Sequence, residues 1–345
     1  MPENQKLVAG DLVYVKMPAE ILKTLDDKGC LDSLPFMPEM INYCGKIFKV
    51  KYRIEKTCVE SDSAVVAEFK NNDVVYLENL RCSGVSHHHC QRACMIFWKE
   101  AWLSRVSNGY VEKEPTVHDK DLLRAKLHTA DAQSNYFCQS TQLEKATVGL
   151  SRNKRLTKMY SDLKHGTHSL YNIIRLVLVP VMRKIIKRFK DQHPMGTLTK
   201  TPGESLNLQP GEFVEVKSLE EIIQTLDKRG KNRGLAFEPD MKEYCGKRYK
   251  VRSRLDRMIL ERSGKMAEVK NTVILDDITC NCYYALGGCP RKEYQFWREI
   301  WLKRVVTISA LSVQIFRDTV NHKNTQELQA FVASEEFGFI ISKLI

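Results

Sequence analysis

The sequence predicts an α+β protein in which two related, strand-rich repeats flank a helical basic insert, and three observations carry that prediction. Residues 10–60 match residues 211–261 at a constant offset of 201. Each matched stretch alternates apolar and polar residues as half-buried strands do. The residues between the repeats, 119–200, change in both pattern and charge.

The match is in register throughout. Gly10 meets Gly211, Val15-Lys16 meets Val216-Lys217, and Thr24-Leu25-Asp26 meets Thr225-Leu226-Asp227. Tyr43-Cys44-Gly45-Lys46 meets Tyr244-Cys245-Gly246-Lys247. Two copies of this kind imply a tandem duplication rather than a solenoid. Within each copy, GDLVYVK or GEFVEVK reads as a strand after a glycine. A short helix follows and stops at Gly29 or Gly230, the residue that most readily ends a helix. GKIFKVKYRIE and GKRYKVRSRLD continue as strands, with further strands near Val74–Leu77 and Val273–Leu275. MIFWKEAWLSRV and YQFWREIWLKRV read as closing amphipathic helices, because two Trp at i and i+4 share a helix face. Several short strands around a small core predict an SH3-like β-barrel for each repeat. The expected domains are residues 1–118, the insert 119–200, the second repeat 201–306 and a C-terminal tail 307–345.

The formal net charge of +12 is concentrated in the insert. Residues 1–118 hold 15 basic and 16 acidic side chains, residues 119–200 hold 16 and 6, and residues 201–345 hold 23 and 20. In SLYNIIRLVLVPVMRKIIKRFK, residues 169–190, an apolar stripe faces a basic one of Arg183, Lys184, Lys187, Arg188 and Lys190. The apolar run is too short and too charged to span a bilayer. Such a stripe suits an anionic membrane surface, with each cation contributing on the order of 1 kcal/mol. An acidic protein partner or nucleic acid would use the same charge, although no base-reading module accompanies it.

Eleven cysteines in a chain with no visible export signal point to reduced thiols or metal ligands and to a cytoplasmic location, peripheral at the inner membrane face if the basic stripe docks there. Cys58, Cys82, Cys90 and Cys94 form the expected metal set of the first repeat, with a His87-His88-His89 run between two of them. Four thiolates suffice for tetrahedral zinc, or alternatively for an iron–sulfur cluster. His87 and Cys138 are possible additional ligands. The second repeat keeps Cys280 and Cys289 and adds Cys282, but Ile259 and Glu293 stand where the first has Cys58 and Cys94. Its site is therefore expected to be degenerate.

The strings LPFMPEMINYCGKIFKV, YFCQSTQLEKAT and RGLAFEPDMKEYCGKRYKV, with FWKEAWL and FWREIWL, resemble a bacterial protein family of two related cysteine-containing repeats, encoded near polysaccharide and natural-product biosynthesis genes. The resemblance spans roughly residues 7–305. It implies a biosynthetic setting and that the cysteines, Cys138 included, are not incidental. It implies no reaction. The chain has no Gly-rich phosphate loop, dinucleotide fingerprint, HExxH or GxSxG motif. The expected function is a metal-binding accessory or scaffold protein that docks to an anionic surface or partner. The competing expectations are an iron–sulfur or thiol-dependent biosynthetic enzyme and a nucleic-acid-binding module.

Overall fold

The structure is a computed structural model that describes residues 6–60, 65–107, 109–151, 154, 157–158, 160–161, 194–280 and 291–305. It is built mostly of antiparallel sheet, with few helices. The first repeat runs β1 (Leu12–Val15), α1 (Pro18–Leu22), β2 (Cys30–Leu31), β3 (Leu34–Pro35), β4 (Ile47–Arg53), β5 (Thr57–Val59), β6 (Val65–Phe69), β7 (Val74–Leu77), β8 (Trp98–Lys99) and β9 (Leu103–Arg105). Helices α2 (Val117–Lys126) and α3 (Leu143–Ala146) and strand β10 (Thr147–Gly149) follow. The second repeat contains β11 (Phe213–Val216), α4 (Leu219–Ile223), β12 (Lys231–Asn232), β13 (Leu235–Ala236) and β14 (Arg248–Arg254). It ends with β15 (Arg257–Ile259), β16 (Met266–Glu268), β17 (Thr272–Thr279), β18 (Tyr294–Arg298) and β19 (Leu302–Arg304).

Each repeat is centred on a five-stranded sheet, ordered β8-β7-β4-β1-β9 in the first and β18-β17-β14-β11-β19 in the second. The registers agree as well as the orders. Leu12 pairs with Lys49 as Phe213 pairs with Lys250, and Val50 pairs with Leu77 as Val251 pairs with Leu275. Even the bulge recurs, after Val50 and after Val251. Alternation explains β1: Val13 and Val15 are fully buried while Leu12 is exposed.

The expected Trp-bearing helices are instead strand, 3₁₀ turn and strand. β8 and β9 are joined only by the turn Glu100–Trp102, and β18 and β19 only by Glu299–Trp301. These strands lie at opposite edges of their sheet. A flat five-stranded sheet is ~19 Å across, whereas a three-residue connection bridges at most ~14 Å between the strand ends. The sheet must therefore curl into a half-barrel, and the kinked connection drives both aromatic rings inward. Trp98 and Trp102 are fully buried and meet Phe36 edge-on at 6.3 and 5.1 Å between ring centroids. Trp297 and Trp301 repeat this against Phe237 at 6.3 and 5.3 Å.

A buried clamp ties the chain before each sheet to the same turn. Arg53 bonds Glu100 and the Leu7 carbonyl, and Arg254 bonds Glu299 and the Leu208 carbonyl. The described part of the insert packs on the first repeat. Leu123, Leu143 and Ala146 enter its core, and β10 extends the β5–β6 hairpin. Lys154 and Lys158 pair with Glu68, and Lys158 also reaches buried Glu55. The basic stripe at residues 183–190 lies outside the described residues. Among the described residues, no helix is long and apolar enough to cross a membrane.

Candidate functional site

The loop after β7 folds back on itself. Arg81 bridges Met95, and the Cys82 amide donates to the Cys94 carbonyl at 2.7 Å. Gly84 turns the chain with φ +71°, and a Cβ there would lie 1.9 Å from the Cys90 carbonyl oxygen, so only glycine fits. A 3₁₀ turn at Val85–His87 then buries His87, whose Nε2 sits 3.2 Å from the Phe137 carbonyl. Glu39, in the 3₁₀ segment Pro38–Tyr43, accepts from both the amide and the hydroxyl of Ser83 at 2.8 Å. The result is a cavity of ≈ 40 Å³ whose wall includes Glu39, Cys82, His87, Cys90, Cys94 and Cys138.

The far wall comes from the second repeat, through Ile259, Arg291 and Glu293. The Ile259 amide donates to the Cys90 sulfur at 3.3 Å. Contacts across this boundary are reciprocal. Arg92 donates to the Ile259 carbonyl and Arg291 to the Cys58 carbonyl. Arg92 and Arg291 hold matching positions in the two repeats, as do Cys58 and Ile259. The Cys94 thiol donates to Glu293, its own counterpart, at 3.9 Å. Reciprocity of this kind is the mark of two-fold pairing, so the repeats face each other as an internal dimer.

Charge at this boundary is concentrated and paired. Arg291 binds Glu261 through both carboxylate oxygens at 3.0 and 2.6 Å, and also binds Glu293. Arg92 reaches Glu261 at 3.4 Å and Glu293 at 3.1 Å. Burial raises the Cys94 thiol to about 12, although the neighbouring Arg92 and Arg291 act in the opposite sense. Burial and then Glu39 push Cys82 far above the usual thiol range. Burial raises Cys138, with a small addition from Cys90, and lowers His87. Cys82 senses Cys94, and Cys94 senses Cys138, so the thiols form a chain of electrostatic neighbours. At neutral pH Cys82, Cys94 and Cys138 are thiols and His87 is neutral imidazole.

The structure regroups the residues expected at a metal. Cys82, Cys90 and Cys94 share the cavity, and Cys138 and His87 join them. Cys58 does not line it. Cys58 sits on β5, packed with Cys280 against Val66 and Leu150. Cys280 is placed by its amide, which donates to the Glu293 carbonyl at 2.7 Å. Cys282 and Cys289 lie outside the described residues. Among the described residues no three His, Cys, Asp or Glu side chains already stand in an arrangement that would hold a metal ion. Sequence reasoning passed over Glu39 and the Arg92/Arg291 pair. The available signal for the arginines was their matched placement two residues before Cys94 and Glu293.

Comparison of the chain with known protein families, with curated proteins and with solved structures finds no match.

Proposed function

We propose that this chain is a metal-binding accessory protein that takes up zinc at the cavity between its repeats. One observation carries the reading: Cys82, Cys90 and Cys94 from one loop and Cys138 from the insert converge, with His87, on one small cavity walled by the second repeat. Thiolates at about 2.3 Å from the ion would complete a tetrahedral Cys₄ set, with His87 able to replace one sulfur. The side chains must close on the ion to do so. A Cys₄ zinc centre carries a net negative charge; beside Cys94, Arg92 and Arg291 favour it and Glu293 opposes it. The ion would tie the loop, the insert and the boundary between repeats together, with roughly 10–16 kcal/mol of apparent binding energy. Each repeat is read as an SH3-like barrel because its sheet edges are joined by a single turn.

Reconstitution with zinc under reducing conditions is expected to give one ion per chain and a colourless protein. Cys138→Ser is expected to lower the affinity at least about tenfold, while Cys58→Ser leaves it unchanged. Burial raises the thiols of Cys82, Cys94 and Cys138, so each of these three releases a proton on binding and affinity should climb steeply with pH. Cys58→Ser matching Cys138→Ser in its loss would sink this ligand set. A brown protein containing iron and sulfide would replace zinc by a cluster and favour the enzyme reading.

The same accessory role includes docking to an anionic membrane surface through Arg183, Lys184, Lys187, Arg188 and Lys190. Vesicles rich in phosphatidylserine should float the wild-type chain, and replacing Lys184, Lys187 and Arg188 by Glu should leave it in the pellet fraction. Unchanged flotation of that variant removes the docking role.

A further inference from the structure

The two repeats treat one buried cation in opposite ways. In the first, Lys99 is fully buried and its Nζ lies 2.8 Å from Asp32 and 2.9 Å from Asp73. Pairing of this kind is how a buried charge is ordinarily tolerated. In the second, the matching residue is Arg298, only 7% exposed, and the positions of Asp32 and Asp73 are held by Arg233 and Asn271. Arg298 donates only to uncharged oxygens: the carbonyls of Asn232, Arg233 and Lys270 and the hydroxyl of Thr272. No carboxylate of the described residues pairs with it. Guanidinium does not give up its proton in a protein, so the positive charge stays. Burial disfavours that charge, and the neighbouring Arg233 disfavours it further.

The replacement coincides with a cavity. Arg298 lies in the wall of a ≈ 340 Å³ pocket of the second repeat, much larger than the thiol cavity. Arg233 and Lys270, both exposed, stand in the same wall, and neither makes an ion pair with a described residue. Among the described residues Glu268 is the one carboxylate lining it. Leu235, Leu255, Met258 and Phe296 supply apolar surface. Three cations against one carboxylate leave the pocket positive, and its partly buried setting strengthens the field inside. Binding pockets commonly combine such apolar walls with a few charged groups that fix one end of the ligand.

We infer that the second repeat binds a small organic anion: a carboxylate carried on an apolar body, its charged end on Arg233 and Lys270 above buried Arg298 and its body against Met258 and Phe296. The duplication thus separates two roles, with thiols gathered by the first repeat and an anion taken by the second. The first repeat's Asp32 and Asp73 would repel the same ligand.

Calorimetric titration of the full chain with benzoate, and with its neutral isostere benzamide, tests this. Benzoate is expected to bind saturably at one site, and benzamide about tenfold or more weaker. Reversing the two exposed cations together, Arg233→Glu with Lys270→Glu, should abolish benzoate binding without changing the thermal midpoint beyond surface-mutation effects. Met258→Trp fills the apolar side without touching a charge and should abolish it too. Absence of saturable benzoate binding, equal affinity for benzamide, or benzoate binding that survives either variant would overturn the inference.

Discussion

Replacing Arg291 by methionine is expected to destabilise the folded chain by about 3–5 kcal/mol, the range for removing one partner from a buried ion pair. The loss follows from what remains. Glu261 is 5% exposed and would lose a two-oxygen partner, keeping the Arg92 guanidinium at 3.4 Å and two uncharged donors, the Glu60 amide at 3.1 Å and the Ser140 hydroxyl at 2.9 Å. Three further bonds go with it, to Glu293, to the Cys58 carbonyl and to Ser140, and the last two cross from the second repeat to the first repeat and its insert. The double variant Arg291→Met with Glu261→Leu should recover much of the loss, because no charge is then stranded. Acid should act on the same pair. Burial alone would raise the Glu261 carboxyl, but Arg291 and Arg92 outweigh it and hold the carboxyl below its ordinary value. A depressed folded-state pKa gives stability that is present above the unfolded value and is lost as pH falls through the carboxylate range. Urea denaturation at neutral pH and at about pH 4 measures both effects. A loss under about 1 kcal/mol for Arg291→Met would show that the charge cluster does not hold the repeats together.

The repeats themselves were legible because alternation and the glycine positions fix strands and register locally. Val13 and Val15, or Val214 and Val216, announce a buried face whatever surrounds them. The Trp segments were not legible, since FWKEAWL satisfies a helical period as well as a strand–turn–strand path. The choice is made by sheet closure, a long-range constraint that leaves no trace in seven residues. The cysteine set was half legible for a related reason. Spacing groups Cys58 with its sequence neighbours, but β5 faces the other repeat, so the Cys58 carbonyl meets Arg291 and its side chain packs with Cys280. Cys138 fills the vacated place because Gln139 beside it is pinned inside the first repeat by the Pro35 and Phe97 backbones. Two-fold pairing of repeats exchanges neighbours between them, and a pattern read within one repeat cannot see that exchange.

The four tryptophans should give the other large effect. Truncation of any one to alanine is expected to cost about 3–5 kcal/mol, as for other buried aromatic side chains, because all four are fully buried in the two cores. Substitution by phenylalanine separates packing from hydrogen bonding. Trp102 donates to Thr24 at 3.1 Å and Trp301 to Thr225 at 3.0 Å. Trp98 and Trp297 bury an indole N–H that finds no acceptor among the described residues. Trp98→Phe therefore removes volume together with an unsatisfied donor, and losing that donor is favourable. Trp102→Phe removes similar volume together with a made bond, although Thr24 still donates its own hydroxyl to the Ile21 carbonyl. Trp102→Phe should thus be the more destabilising by about 1–2 kcal/mol, and Trp301→Phe should exceed Trp297→Phe by a similar margin. Denaturation midpoints of the four variants give the order directly. If Trp98→Phe proved the worse of its pair, the indole N–H would have to be satisfied in solution, and the two rings would differ in packing rather than in bonding.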